Sequence, residues 1–174
     1  MDLVGPGPLD PHFADADEAV RTLEARGSWL DVGSGAGFPG IALAAWYPDA
    51  RVTLVERRQK RAAFLEVVLG EAHLKNAAVH CGDADGLTAT SAAGTRGIAP
   101  GAASDAGWDG LISRAFRAPL EVVDLARGLL RPGGKLVLLL AKDQLAIPEG
   151  FAEDHVHSYL IEGKSRRAVV WVRV

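Results

Sequence analysis

The stretch "WLDVGSGAGFPGIALAAWYP", Trp29 to Pro48, sets an apolar run, four glycines within eight residues and a helical pattern in direct succession. Glycine at a strand-to-helix turn tolerates positive φ and admits a ligand close to the backbone. A helix N-terminus just behind such a turn offers unpaired N–H donors to an acidic or polar group. Many folds use that device, so the loop by itself does not name the ligand.

The rest of the chain alternates in the same way. Gly5, Pro6, Gly7, Pro8 and Pro11 make Met1–His12 an irregular arm. "DADEAVRTLEARG" puts Ala16, Ala19, Val20 and Leu23 on one helical face, with Gly27 placed to stop it. "SWLDVG" is a strand, and Pro39 stands where a first helical residue would, its missing N–H costing nothing there. "PGIALAAWY" is a helix, "ARVTLVE" a buried strand, and "RQKRAAFLEVVLGEAHL" an amphipathic helix with Ala63, Phe64, Val67, Val68 and Leu74 inward. "AAVHCGDA" is a third strand. Residues 86–107 are rich in Gly, Ala, Ser and Thr without hydrophobic period, a long flexible insertion.

"WDGLISRAF" is a fourth strand, "PLEVVDLARGLL" a helix and "RPGG" a turn. "KLVLLLAK" lacks polar alternation, the mark of a strand buried on both faces. The two strand-like runs of "HVHSYLIEGKSRRAVVWVRV" form a terminal hairpin. Alternating strands and helices predict a parallel α/β sheet with right-handed crossovers.

Composition narrows the function. The 174 residues are read as one domain, 1–174, with 1–27 as N-terminal arm and helix. A net charge of −3 is not the footprint of a free-standing nucleic-acid binder, so an RNA partner must meet a local patch. The single cysteine, Cys81, excludes an internal disulfide and is read as a buried structural thiol in a reducing compartment. No apolar run nears the roughly 20 residues of a membrane helix. The N-terminus lacks the basic start and apolar stretch of a signal peptide, so the expected location is cytoplasmic. The five histidines lack metal spacing, and His155 and His157 alternate on a strand with no partners, so no metal is expected.

In a doubly wound sheet, ligands bind past the carboxyl ends of the strands. Three features collect there. Asp31, Gly33, Gly35 and Gly37 form D-x-G-x-G-x-G. Glu56 closes the next strand nineteen residues past Gly37, about the spacing at which an acid meets a ribose hydroxyl pair. "GDAD", Gly82 to Asp85, ends strand three. A dinucleotide fingerprint can be forced onto Gly35, Gly37 and Gly40, but it starts two residues late. It also sets Asp31 against a pyrophosphate. S-adenosylmethionine carries an ammonium and no phosphate. Asp31 then attracts its aminoacyl end, Glu56 holds its ribose, and Asp83 to Asp85 border its adenine.

"DVGSGAGFPGIALA", "VTLVERRQKRAAFL", "ISRAF" and "PGGKLVLLLAK" resemble the bacterial guanine-N7 methyltransferases of small-subunit ribosomal RNA, once called glucose-inhibited division protein B. The resemblance runs from about Leu3 to the C-terminus and is weakest across 86–107. G-F-P-G followed by K-R-x-x-F-L and S-R-A is its specific part. It implies a class I, Rossmann-like methyltransferase fold, a mostly parallel seven-stranded sheet with an antiparallel C-terminal hairpin. It also implies cofactor contacts at Gly33, Phe38, Ala84, Asp85 and Arg114, and a lysine near the cleft at Lys142.

Attack by guanine N7 on a sulfonium needs no general base, since N7 has a lone pair and no proton to lose. The chain lacks the N/D-P-P-Y signature of amino methylation, and Cys81 is badly placed as a nucleophile for pyrimidine C5. No catalytic acid or base is therefore named. The dense basic cluster "RRQKR", Arg57 to Arg61, opens a helix, where the dipole disfavours cations, and is a candidate for phosphate contact. The expected partner is small-subunit ribosomal RNA or a ribosomal particle.

Three positions and the start of the chain depart from the family pattern. The chain starts about where the family's first helical segment ends, and Ala16 replaces the serine of H-x-x-D-S. Asp83 stands where arginine is favoured, and Asp143 where glycine follows the lysine. Two alternatives follow: a related methyltransferase with a small-molecule acceptor, or a truncated, non-catalytic cofactor-binding module.

Overall fold

Strand β1 (Gly27–Val32) lies inside a seven-stranded sheet in a computed structural model that describes residues 9–88, 107–141 and 145–174. It pairs in parallel with β2 (Ala50–Val55) on one side and β4 (Trp108–Arg114) on the other. Outward from these, β3 (Ala77–His80) pairs with β2 and β5 (Leu130–Leu140) with β4, again in parallel. β7 (Lys164–Arg173) then runs antiparallel to β5 and β6 (Phe151–Ile161) antiparallel to β7, giving the order β3-β2-β1-β4-β5-β7-β6. This is the expected mostly parallel sheet with its terminal hairpin.

Period-two alternation sends successive side chains of the central strands to opposite faces. Trp29, Ile112 and Val137 enter one apolar layer, covered by α1 (Asp10–Val20), α2 (Gly40–Trp46) and α3 (Gln59–Glu71). Leu30, Leu111 and Leu136 enter the other, covered by α4 (Pro119–Leu129). Both faces of β5 are buried, as its unbroken apolar run predicts. The covered faces leave the carboxyl ends of β1 to β4 as one open edge.

Four local expectations are corrected. The N-terminal helix begins at Asp10, inside the expected irregular arm, because Pro11 sits at its first turn, where a fixed φ helps. Its inward residues Ala16, Ala19 and Val20 are as expected, but Gly27 opens β1 rather than stopping the helix. On α3 the buried residues are Ala62, Leu65 and Leu69; Phe64 and Leu74 are partly buried against the same core, as expected, while Ala63 and Val67 are exposed. Apolar residues at 62–65 and 67–69 cover more than one face, so periodicity alone could not choose. Cys81 falls one residue past a short β3 and is exposed, not a buried thiol. Most of the 86–107 insertion, the first eight residues, Lys142 and Asp143 lie outside the described residues.

Candidate functional site

The open edge begins where β1 and β2 part. The N–H groups of Gly33 and Ser34 both donate to the Val55 carbonyl, at 3.0 and 3.1 Å, and the chain then turns away into the glycine loop. Just before that turn, Asp31 is 1% exposed. Its Oδ2 accepts the Gly40 N–H at 3.1 Å, at the start of α2. A Cβ on Gly40 would stand 2.5 Å from that oxygen, so glycine is required there. The other oxygen, Oδ1, is buried without a hydrogen-bond partner among the described residues. Burial, with a smaller push from nearby Glu56, raises the Asp31 carboxyl to about 6 against the opposing pull of the Ser34 hydroxyl, the Gly40 N–H and Arg114.

Glu56, the residue after β2, is 6% exposed and is also held by main chain. Its Oε2 accepts the Gly35 N–H at 3.1 Å and its Oε1 the Arg58 N–H at 2.8 Å. One carboxylate thereby fixes both the glycine loop and the approach to α3. The loop glycines differ in what approaches them. The Phe116 ring lies against Gly33 and the Ile41 side chain against Gly37, so close that a Cβ would stand 2.3 and 2.2 Å from them. At Gly35 the nearest atoms to such a Cβ are 3.7 and 3.8 Å away, and there the loop opens.

Beside it lies a cavity of about 350 Å³ whose walls include Gly33, Glu56, Asp83, Ala84, Phe116 and Arg117. Arg57, Arg58 and Arg61 border it too. Asp83 caps the short 3-10 turn Ala84–Gly86 by accepting the Asp85 N–H at 3.2 Å. Arg117 closes the outer rim. Its guanidinium forks onto Asp85 at 2.7 and 2.8 Å, reaches Asp83 at 3.3 Å, and stacks 4.6 Å from the Phe116 ring centroid. Its hydrogen bonds hold the Asp85 carboxyl below the usual carboxylate range. The negative charge at Asp83 is thus partnered on the molecule itself.

Phe116 and Arg117 were not singled out from the sequence. The available signal was position: both follow β4 directly, on the edge that already carried Asp31, Glu56 and "GDAD".

The opposite end of the edge is built on α1. Arg114, ending β4, donates from a terminal nitrogen to Asp15 Oδ2 at 3.2 Å and stands 5.4 Å from the centroid of Phe38. The Tyr159 hydroxyl donates to Asp15 Oδ1 at 3.0 Å, and burial, then the Asp15 charge, push that hydroxyl's pKa up. Phe38 is buried and joined to Pro39 by a cis peptide.

Of the residues expected from sequence, Gly33, Glu56, Asp83 and Ala84 line the cavity directly. Gly35 and Asp85 adjoin it through Glu56 and Arg117. Asp31 lies beneath the loop, Phe38 and Arg114 flank it on the α1 side, and Gly37 is turned onto Ile41. The histidines are corrected: His155 shares a hydrogen bond with Thr22 and His157 with Glu18, both at 3.1 Å, tying the hairpin to the N-terminal region. Among the described residues, no group of three or more His, Cys, Asp or Glu is arranged to hold a metal ion.

The family model described as "GidB: rRNA small subunit methyltransferase G" matches residues 9–153. The ribosomal RNA small subunit methyltransferase G of Cupriavidus metallidurans is 36% identical over 130 residues, covering 74% of this chain and 49% of that one. That of Ralstonia nicotianae is 35% identical over 151 residues, 84% and 61% of the two chains. That of Xanthomonas oryzae pv. oryzae is 32% identical over 160 residues, 89% and 68%. The chain thus spans 49% and 61% of the first two relatives' length. Among solved structures, TrmN from Thermus thermophilus superposes with a TM-score of 0.66 at 20% identity, over 98% of this chain and 55% of that one. A SAM-dependent methyltransferase from Aquifex aeolicus gives 0.65 at 12%, over 95% and 94%. At these identities the structural likeness carries the fold alone.

Proposed function

Because the chain belongs to the rRNA small subunit methyltransferase G (GidB) family, we propose that it transfers a methyl group from S-adenosylmethionine to guanine N7 of small-subunit ribosomal RNA. The observation that carries the donor assignment is the orphaned Oδ1 of Asp31 beneath a glycine loop whose neighbouring acid, Glu56, opens onto a cavity.

The residues present fit that donor. A buried carboxylate oxygen without a partner is costly, and an ammonium, directly or through a water, relieves it. Each Glu56 oxygen accepts one N–H and keeps a lone pair for a ribose hydroxyl. Ala84, flanked by Asp83 and Asp85, borders the adenine end. Arg114 and Phe38 stand toward the reacting end. When bound, S-adenosylmethionine supplies an electrophilic methyl group on a sulfonium. The chain's part is positioning: main-chain N–H groups fix Asp31 and Glu56, and α1 fixes Arg114 through Asp15. Guanine N7 carries no proton, so the chain needs no base to remove one.

The exposed residues Arg57, Arg58 and Lys60, with Arg61 beside the loop, give an overall acidic chain a basic rim next to this cavity. That rim is the place for RNA phosphates. Among the described residues no helix is long and apolar enough to cross a membrane, and the proposed workplace is the cytoplasm.

Incubation with methyl-labelled donor and either small-subunit particles or their RNA tests the assignment. Label in RNA, released as 7-methylguanine, is the expected result. Label in small-molecule extracts but not in RNA overturns the acceptor. Tight donor binding without transfer to anything leaves a binding module.

A further inference from the structure

We propose that Phe13, on α1, is the stacking platform for the acceptor base, with Arg114 beside it addressing the base's polar edge. This rests on the guanine-N7 reading above and names how that acceptor is held.

Direction along the edge sets the place. With the ribose at Glu56 just past β2 and the ammonium at Asp31 on β1, the sulfonium lies between them. The next strand in the sheet is β4, ending at Arg114. An acceptor must approach from that side, where α1 meets the loop.

There the molecule presents aromatic surface. Phe13 is 54% exposed, although it sits on a helix whose packing is carried by Ala16, Ala19 and Val20. Its ring stands edge-on to buried Phe38, with centroids 4.7 Å apart and planes at 81°. The His12 ring lies nearly parallel to Phe38 at 6.4 Å, and the Arg114 guanidinium is 5.4 Å from the same ring. Phe38 therefore anchors one side of Phe13, and more than half of Phe13 is left open to solvent. The part of the ring that Phe38 leaves open is the kind of surface a purine stacks on.

The polar edge fits as well. An arginine usually reads guanine through O6 and N7 together. Here N7 must face the methyl group, so Arg114 is left with O6. It commits one N–H to Asp15 and carries five in all. Asp15 thereby becomes a positioning residue for Arg114.

The test uses the 174-residue chain with small-subunit RNA, comparing wild type, Phe13→Leu and Phe13→Trp. Leu120→Ala, an exposed apolar residue on α4, is the control. Leucine keeps the contact with Phe38 but loses the aromatic face. Phe13→Leu is expected to raise the KM for RNA about tenfold and to weaken RNA binding similarly when S-adenosylhomocysteine is present. Phe13→Trp should restore both, and calorimetric affinity for S-adenosylmethionine should stay within about twofold. An unchanged KM and RNA affinity in Phe13→Leu overturns the platform while methyl transfer by the wild type stands. Donor affinity falling in step with RNA affinity shows that Phe13 merely supports Phe38, and overturns it too. If the wild-type chain labels no RNA, the acceptor reading itself falls and takes the platform with it.

Discussion

Asp31 and Glu56 stand on the same sheet edge as Asp83 and Asp85, yet the two pairs are held in opposite ways. The inner pair is buried, and main-chain N–H groups from the glycine loop, α2 and the start of α3 fix three of its four oxygens, all but Asp31 Oδ1. The outer pair lies in the open, held by the Arg117 side chain. Backbone donors cannot swing away without unfolding the loop, so the inner acids offer one fixed geometry at the cost of desolvation. A half-buried guanidinium paired with exposed carboxylates can let go and be screened by salt. The inner pair is suited to define where a ligand sits, and the outer pair to close behind it.

The comparison breaks most sharply at Asp31. Asp31→Asn is expected to weaken S-adenosylmethionine binding by about 3 kcal/mol, the cost of removing one partner from a buried charge pair. The same variant should make the donor-free chain more stable at neutral pH, since a desolvated negative charge is gone. Calorimetry and thermal melts read the two effects separately. Weaker binding together with lower stability would mean that Asp31 serves the fold alone.

Glu56→Gln comes next, with an expected loss of about 1.5–3 kcal/mol of donor affinity, the worth of hydrogen bonds to a charged group. The amide would also face a main-chain N–H with the wrong hydrogen-bonding group. Donor binding unchanged by calorimetry would remove the ribose from this position.

The pH dependence sharpens the contrast between buried and exposed acids. Asp31 is raised from 3.8 to about 6 in the folded chain, so the fold binds an extra proton between those values. Stability of the donor-free chain should therefore fall as pH rises from about 4 to 6, by an Asp31 contribution on the order of 3 kcal/mol, and level off above. Donor affinity should run the other way, dropping close to tenfold per pH unit, about 1.4 kcal/mol, below about 6 as protonation of Asp31 competes with the ammonium. Asp31→Asn should abolish both slopes. A wild-type titration of donor affinity that is flat between pH 5 and 7 would contradict this.

The smallest effect belongs to the outer pair. Arg117→Ala should change stability by no more than about 1 kcal/mol, because the ion pairs it removes are exposed. It should speed donor release in low salt and have little effect in high salt, measured by stopped-flow dissociation. A large, salt-independent loss of stability would place Arg117 with the inner group.

Legibility followed the range of each interaction. The glycine loop, the acid after β2 and the alternation of strands and helices were readable because each depends on neighbours in the chain or on a fixed spacing. The fold followed from them, hairpin included. The packing side of α3 was not readable, since its apolar residues spread around the helix and only the sheet selects Ala62, Leu65 and Leu69. Nor were the partners of the hairpin histidines, which lie on the N-terminal helix or just beyond it. Arg117 could be noticed in the sequence, but its fork onto Asp83 and Asp85 joins two loops that meet only because β2, β1 and β4 lie side by side between β3 and β5.

By itself the sequence determined the sheet's strand–helix rhythm, the loop that departs from β1 and the identity of the acids at the strand ends, because backbone sterics and side-chain periodicity act over a few residues. Only the tertiary structure decided which acids are buried and which exposed, and that Asp31 keeps one oxygen unpaired. It also decided that Asp15 and Tyr159, 144 residues apart, meet at Arg114. Burial and long-range hydrogen bonds depend on how the layers close over one another, and no local pattern in the chain encodes that closure.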